Sequence, residues 1–325
     1  MQYSFAPMEG LTTSQFRRLH ARLFPGADRY YAPFLAPDGQ GRVKDSALRE
    51  LEPERNRDLD LVPQILCNTP VAFLSLSREL ASMGYGEVNL NMGCPSATVA
   101  PKHKGVGMLL DLQSLDAFLD KVFSETPLRV SVKCRLGLES TEEFPAVLEI
   151  LNAYPLSELI LHARDRKGMY QSTPDLEAFA RAFAASTAHV TYNGNVLSPA
   201  HYSVVMSTVP KLDRIMIGRG AIANPALFRQ LRGGKKLEAA ELSAFLEELL
   251  SAYLSSGLGE YHSLGRMKEI WYYVNHMLPG AEREVKRVNK ARSVGEYRAA
   301  VSSLFASGHF DADACFPGAL PGTHR

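Results

Sequence analysis

The sequence predicts an α/β chain: a closed (β/α)8 TIM barrel followed by a C-terminal helical bundle. Up to about residue 230, short β-branched or apolar runs alternate with longer helical stretches. That alternation marks repeated βα units and a parallel sheet, and eight units of this length fit a closed barrel better than an open doubly wound sheet. From Leu242 onward the period becomes purely helical. A third observation agrees: ligand-suited residues stand at the ends of seven runs, where barrels of this kind collect their chemistry.

The runs justify themselves in order. The first, 3–6, ends in Pro7-Met8-Glu9-Gly10, and the second is 29–32. The third, 62–66, carries Gln64 and leads into a helical stretch at 70–83. The fourth, 87–91, closes on Asn91 and enters Met92-Gly93-Cys94-Pro95-Ser96. A helix at 115–123 precedes the fifth, 129–134, which carries Lys133; a helix at 144–151 precedes the sixth, 159–162, which ends in His162 just before Arg164. The seventh, 189–193, runs into Gly194-Asn195, and the eighth, 214–217, into Gly218-Arg219-Gly220. Gly233-Gly234-Lys235-Lys236 reads as a linker. The expected division is a barrel domain over 1–232 and a helical domain over 233–310, with helices at 242–254, 264–277 and 297–305. The stretch 311–325 carries Pro and Gly without periodicity and is expected to be a flexible tail.

Composition narrows the functional classes. The 325 residues are 46% hydrophobic, enough for a large core and one barrel-sized domain with a smaller companion. Four cysteines without CxxC or metal-like spacing argue against a disulfide framework or a bound metal, and such thiols suit a reducing, cytoplasmic setting. No basic segment followed by an apolar one opens the chain and no long uncharged apolar stretch occurs, so no membrane partner is expected. A net charge of +1 leaves a nucleic-acid partner open, because whole-chain balance hides local patches.

Cys67, Cys94 and Cys134 all fall near strand ends, but only Cys94 is flanked by Gly and Pro, which let backbone approach a ligand closely. A free cysteine is more often a small buried hydrophobe, and that reading is kept for Cys67 and Cys134. The loops after strands seven and eight of such barrels often form a phosphate site. Asn193-Gly194-Asn195 and Gly218-Arg219-Gly220 fit one: the glycines bring backbone donors close, and Arg219 offers a planar fork. Gly-Arg-Gly alone would be only a turn before a helix near 224–230. Lys133 and Gln64 would then face the other end of a phosphate-bearing cofactor, the cation stabilising an electron-rich ring and the amide bonding its edge. No G-x-G-x-x-G, Walker A, H-E-x-x-H or G-x-S-x-G occurs, so a separate Rossmann domain is not supported.

These residues resemble the tRNA-dihydrouridine synthase family, flavoproteins that reduce uracil in the tRNA D-loop. The resemblance runs through Ala6-Pro7-Met8-Glu9-Gly10, Asn91-Met92-Gly93-Cys94-Pro95-Ser96, Lys104-Gly105-Val106-Gly107-Met108, Ser131-Val132-Lys133-Cys134-Arg135, Leu161-His162-Ala163-Arg164, Asn193-Gly194 and Ile217-Gly218-Arg219-Gly220. The compact start and short length are most similar to the bacterial C-type branch, whose usual target is position 16. The resemblance implies FMN across the barrel mouth, with Pro7, Met8 and Glu9 beside the ring, Gln64 and Lys133 on its polar edge, His162 near it, and Asn193, Gly194, Asn195, Gly218 and Arg219 toward the phosphate. It makes Cys94 the proton donor. Asn89 and Asn195 stand where the family usually has acidic residues, which bears on the support beneath the cysteine loop and on one cofactor contact.

Saturating the uracil 5,6 double bond needs a hydride at C6, implied to come from reduced flavin, and a proton at C5. A thiol with an ordinary pKa of about 8.5 carries that proton near neutrality; a serine would be a far weaker acid. Asn91, Lys102, Lys104 and Arg164 are expected at the substrate nucleotide, with Lys133 and Arg164 stabilising negative charge. NADPH recharges the flavin by the same resemblance. A uracil buried in folded tRNA must be drawn out, and the helical region offers Arg266, Lys268, Arg283, Lys286, Arg287, Lys290, Arg292 and Arg298 among Trp271, Tyr272, Tyr273 and Tyr297. The bland alternative is a solvated basic face over core aromatics. The expected partner is tRNA and not DNA, held by a monomer. Two other readings compete: a flavin barrel acting on a free pyrimidine, as in the dihydroorotate dehydrogenases, against which the helical region argues, and a non-catalytic RNA-binding protein, against which Cys94, Lys133, His162 and Arg219 argue.

Overall fold

The computed structural model describes residues 1–321. Eight strands, β1 (Gln2–Phe5), β2 (Arg29–Leu35), β3 (Leu61–Ile65), β4 (Glu87–Met92), β5 (Arg129–Arg135), β6 (Leu159–His162), β7 (Val190–Asn193) and β8 (Arg214–Ile217), close in chain order into a parallel barrel. β1 lies against β8 and shuts the ring, with Phe5 beside Ile217. All but β2 begin and end within about one residue of the expected runs. β2 continues to Leu35 because its register with β3 shifts between Tyr31 and Phe34; the irregularity absorbs Pro33, which has no N–H for the ladder.

Alternation along the strands separates two environments. Val88, Leu90 and Met92 of β4, Val130, Val132 and Cys134 of β5, and Leu159 and Leu161 of β6 join the large apolar core under the helices. Cys67 belongs to that core as well, and burial pushes the thiols of Cys67 and Cys134 up to about 12. The intervening residues line the barrel. Ala6, Tyr31, Val62, Ile160 and Met216 form a small apolar layer there. At the amino ends of the strands, Glu158 accepts hydrogen bonds from Tyr31 and Thr191 and seals that end. Toward the carboxyl ends the lining turns polar: Gln64, Asn89, Asn91, Ser131, His162 and Asn193 are all buried. Burying so many polar groups is costly unless each finds partners, so this end is where the barrel departs from packing.

Two short helices (Arg219–Ala223, Leu227–Leu231) follow β8, and then come Ala239–Ser255, Gly259–Val274, Glu282–Lys290 and Val294–Ala306. These later helices share one hydrophobic core with the outside of the barrel. Phe245 meets Phe16 and Phe24 edge-on at 5.6 and 5.4 Å, and the hydroxyls of Tyr253 and Thr13 pair at 3.2 Å. Trp271 is buried and donates to the Tyr297 hydroxyl at 2.7 Å, so both are core residues. Tyr272, by contrast, is 61% exposed. Among the described residues no helix is long and apolar enough to cross a membrane.

The stretch expected to be a flexible tail is docked as far as Pro321. Phe316 is 5% exposed and packs with Leu197, Ala223 and Tyr273. The correction has a plain cause: the apolar seat for Phe316 is made by residues remote in sequence, which local Pro and Gly content cannot reveal. Residues 322–325 of that expectation lie outside the described residues.

Candidate active site

Cys94 sits at the end of β4 in a turn that Asn91 builds. The Asn91 Oδ1 accepts the backbone N–H of Gly93 at 3.1 Å and of Cys94 at 2.9 Å. Asn91 is itself held by a file of amides across three strands. Its Nδ2 donates to Gln64 Oε1 at 2.8 Å, Gln64 Nε2 donates to Asn89 Oδ1 at 2.7 Å, and Asn89 Nδ2 donates to Ser131 Oγ at 3.0 Å. Asn89 therefore does support the cysteine loop, by one bond accepted and one donated. The chain returns over Cys94 at Gly105, whose φ is +59° and where a Cβ would stand 2.8 Å from the Cys94 carbonyl oxygen. The Val106 N–H donates to that carbonyl at 3.2 Å. The Cys94 side chain is half-buried and faces the charges of Lys133 and Arg135.

Around it stands a cluster of cations. β5 places Lys133 beside Asn91 and Arg135 beside His162. Burial, and after it the neighbouring Arg135, pull the half-buried Lys133 ammonium down to about 8. Burial also lowers Arg164 to about 10, with Arg219 adding to it. His162 is held well below its ordinary range by burial and then by Arg135, Lys133, Arg164 and Arg219. It is neutral at pH 7. Arg164 Nη1 lies 2.9 Å from His162 Nε2; a guanidinium can only donate, so Nε2 accepts and the ring proton is on Nδ1. Arg164 also donates to Ser172 O at 2.6 Å and Asn195 Oδ1 at 3.0 Å. Its guanidinium is therefore placed behind His162 and Asn195 and is not free at the rim.

The other expected positions fall into three groups. At the rim, Met8 closes a turn with Thr12, whose Oγ1 accepts the Met8 N–H at 3.0 Å. A Cβ at Gly218 would come within 3.0 Å of Met8 Sδ and 3.2 Å of Ala6 Cβ, so the β1 and β8 ends meet there. Pro7 is half-buried and Glu9 exposed on the same turn. At the far side, Asn193 donates to Met216 O at 2.9 Å, and Arg219 donates to Asn195 Oδ1 at 2.8 Å. Gly194 leaves no room for a side chain, since a Cβ would be 2.2 Å from the Tyr192 hydroxyl oxygen. Outside the cavity, Lys102 is exposed and Lys104 half-buried on the loop after Cys94, while Lys286 and Arg287 are exposed on the Glu282–Lys290 helix.

Two residues join the site that sequence reading did not place there. Arg135 is fully buried; it donates to the carbonyls of Gly93 at 3.1 Å, Asp165 at 2.8 Å and Met169 at 3.0 Å, and its Nη2 has no hydrogen-bond partner among the described residues. Tyr170, in the loop after β6, is 52% exposed, with the guanidiniums of Arg135 and Arg219 5.3 and 5.0 Å from its ring centre. Arg135 shares the inward phase of Ser131 and Lys133, which was the available signal. Tyr170 carries no local signal. Between the rim and the helices runs a cleft lined by Glu9, Gly10, Phe34, Leu35, Tyr253 and Arg266.

The donor set fits an anionic, electron-rich ligand such as a flavin nucleotide. Lys133 has no hydrogen bond or ion pair among the described residues, one buried Arg135 nitrogen is unpartnered, and none of the ion pairs reaches Lys133, Arg135, Arg164 or Arg219. Unneutralised buried cations are expensive, and an anion bound among them would offset that cost. Residues 4–303 match the family described as dihydrouridine synthase. The chain is 27% identical to tRNA-dihydrouridine synthase B of Pseudomonas aeruginosa, over 93% of this chain and 92% of that protein. It is 28% identical to a probable tRNA-dihydrouridine synthase of Staphylococcus aureus, over 94% of this chain and 93% of that one. In fold it is similar to morphinone reductase, with a TM-score of 0.51 at 12% identity, covering 73% of this chain and 87% of that chain.

Proposed function

The chain belongs to the dihydrouridine synthase family, and from that premise we propose that it is an FMN-dependent tRNA-dihydrouridine synthase that reduces a D-loop uridine with NADPH as reductant. The observation that carries the reading is the pairing of Cys94, on a turn fixed by Asn91, with a cluster of cations, Lys133, Arg135, Arg164 and Arg219, that none of the ion pairs among the described residues reaches. Lys133 and Gln64 hold the polar edge of the flavin ring, Pro7, Met8 and Glu9 flank it, His162 offers its Nδ1–H, and Asn193, Gly194, Asn195, Gly218 and Arg219 form the phosphate end. When bound, the reduced flavin supplies a hydride to C6 of the uracil ring. Cys94 then gives its thiol proton to C5, where negative charge has developed, and Lys133 and Arg135 stabilise that charge in a site partly closed to water. Asn91 keeps the thiol in place through the turn it caps.

The helical segment 233–310 holds the RNA, and the cleft beside Arg266 and Tyr253 leads from it to the barrel mouth. Arg266 donates to the Gly10 carbonyl, Lys268 to the Ala291 carbonyl at 2.7 Å, and Arg298 pairs with Glu247. Those three cations brace the fold. Arg283, Lys286, Arg287, Lys290 and Arg292 have no ion pair among the described residues and are the ones left for phosphates. The C-type branch, and position 16 with it, are only what the family resemblance implies; the name of the Pseudomonas relative carries the letter B.

The test is direct. Purified protein with FMN, NADPH and unmodified tRNA forms dihydrouridine, while Cys94→Ala retains FMN and loses product by about two to four orders of magnitude, the usual weight of a positioned acid. Full activity in that variant removes the proton-donor role. Turnover of free uracil or dihydroorotate without tRNA would turn the assignment toward a free-pyrimidine enzyme.

A further inference from the structure

Asn195 is 2% exposed, and its amide does three things at once. Its Oδ1 accepts from Arg164 Nη2 at 3.0 Å and from Arg219 Nη2 at 2.8 Å, while its Nδ2 donates to the carbonyl of Ala319 at 3.0 Å. An amide is asymmetric: rotated by half a turn it would present N–H groups to two guanidiniums that can only donate. The Ala319 carbonyl is the acceptor that holds it the right way round. A second carbonyl of the same segment, that of Gly318, accepts from His201 Nε2 at 3.3 Å, and a Cβ at Gly318 would stand 2.6 Å from Leu197 Cδ1 and 3.0 Å from Asn195 Nδ2. The backbone is therefore laid directly on the loop after β7. Two positions earlier, the Phe316 ring lies 5.6 Å from the Arg219 guanidinium and stacks on Tyr273 at 5.1 Å.

We propose that residues 316–319 are a positioning strap for the phosphate end of the site, fixing the Asn195 amide and pressing on Arg219 so that the Arg219 guanidinium is set in advance for the phosphate. The inference rests on the flavin reading above and adds that the C-terminal segment, remote in sequence from every barrel strand, confers preference for the phosphorylated form of the flavin. Phe316 and Gly318 touch no ligand in this account. They act through Asn195 and Arg219, as a supporting shell that keeps charged donors in register. The Tyr273 contact also ties the strap to the Gly259–Val274 helix, so the helical region reaches the phosphate end through it.

The measurement is the dissociation constant of FMN beside that of riboflavin, which has the same ring and no phosphate, in full-length wild type, Phe316→Ala and Gly318→Val. Wild type binds FMN more tightly than riboflavin. Each variant weakens FMN by about tenfold, the order of one charge-assisted hydrogen bond, and leaves riboflavin unchanged, so the ratio collapses even if overall stability falls. Phe316→Tyr, which keeps the ring, retains the wild-type ratio. Equal losses for both flavins, or an unchanged ratio, overturn the strap while leaving the flavin reading intact. Wild type that binds neither flavin overturns the flavin reading and the strap with it.

Discussion

Lys133 is a half-buried ammonium with no carboxylate paired to it among the described residues, and its chemistry follows from that. Burial first and Arg135 second bring it down to about 8, so it is charged below pH 8 and neutral above. A ligand edge rich in electrons favours the charged form. Affinity for the flavin ring is therefore greatest below pH 8 and falls as pH rises through that value, and ring binding takes up a fraction of a proton near pH 8. Riboflavin titrated from pH 7 to 9 reads this without interference from phosphate ionisation, and Lys133→Met removes the slope along with affinity. A flat profile in wild type would place the ammonium elsewhere. His162 stays outside this window: burial first, and then four neighbouring cations, hold it neutral, and the Arg164 contact leaves its proton on Nδ1.

At the scale of elements, the short apolar runs of the strands and the polar residues at their ends were legible in the sequence, because burial on both faces of a strand leaves a direct record in residue type. Gln64, Asn91, Lys133, His162 and Asn193 stand on the mouth side of their strands for that reason. What could not be read depended on partners remote in the chain. β2 outran its expected end because a bulge accommodates Pro33. The Glu282–Lys290 helix carries only Val285 and Val288 among seven charged or polar residues, too little apolar content to stand out as a packed element. Arg164 looked available and is fully engaged, Tyr170 was silent, and Phe316 found a seat among Leu197, Ala223 and Tyr273. The loop after β4 shows how local a requirement can be: Gly105 combines φ +59° with a 2.8 Å approach to the Cys94 carbonyl. Gly105→Ala costs about 1–2 kcal/mol for the left-handed backbone and must also move the carbonyl. The expected result is a drop in dihydrouridine formation of about tenfold or more with FMN affinity unchanged, because the Cys94 turn shifts and the flavin contacts do not. A variant that loses FMN and activity together would show that the loop supports the cofactor.

For the whole molecule, the question is how a chain of net charge +1 holds a polyanion. The answer lies in where its cations are spent. Many of those outside the site are cancelled in surface ion pairs such as Arg232 with Asp28 and Lys236 with Asp313, pairs worth little to stability that leave little field behind. The Glu282–Lys290 helix and the turn after it are different: Arg283, Lys286, Arg287, Lys290 and Arg292 are unpaired among the described residues. The shared core fixes this helix relative to the barrel through buried Val288, so a phosphate backbone lying along it has a defined path to the mouth. Each phosphate neutralised releases counterions and contributes about 0.7 to 0.9 to the slope of log affinity against log salt. Lys286→Glu with Arg287→Glu, both at exposed positions, should change melting by no more than about 0.5 kcal/mol while weakening tRNA binding and making that slope shallower by about 1 to 2. FMN affinity should be unaffected, since neither side chain reaches the barrel mouth. If the double reversal weakens binding but keeps the slope, the loss is not one of phosphate contacts; if neither changes, the RNA runs over another face, and the cleft beside Arg266 and Tyr253 is not its way in.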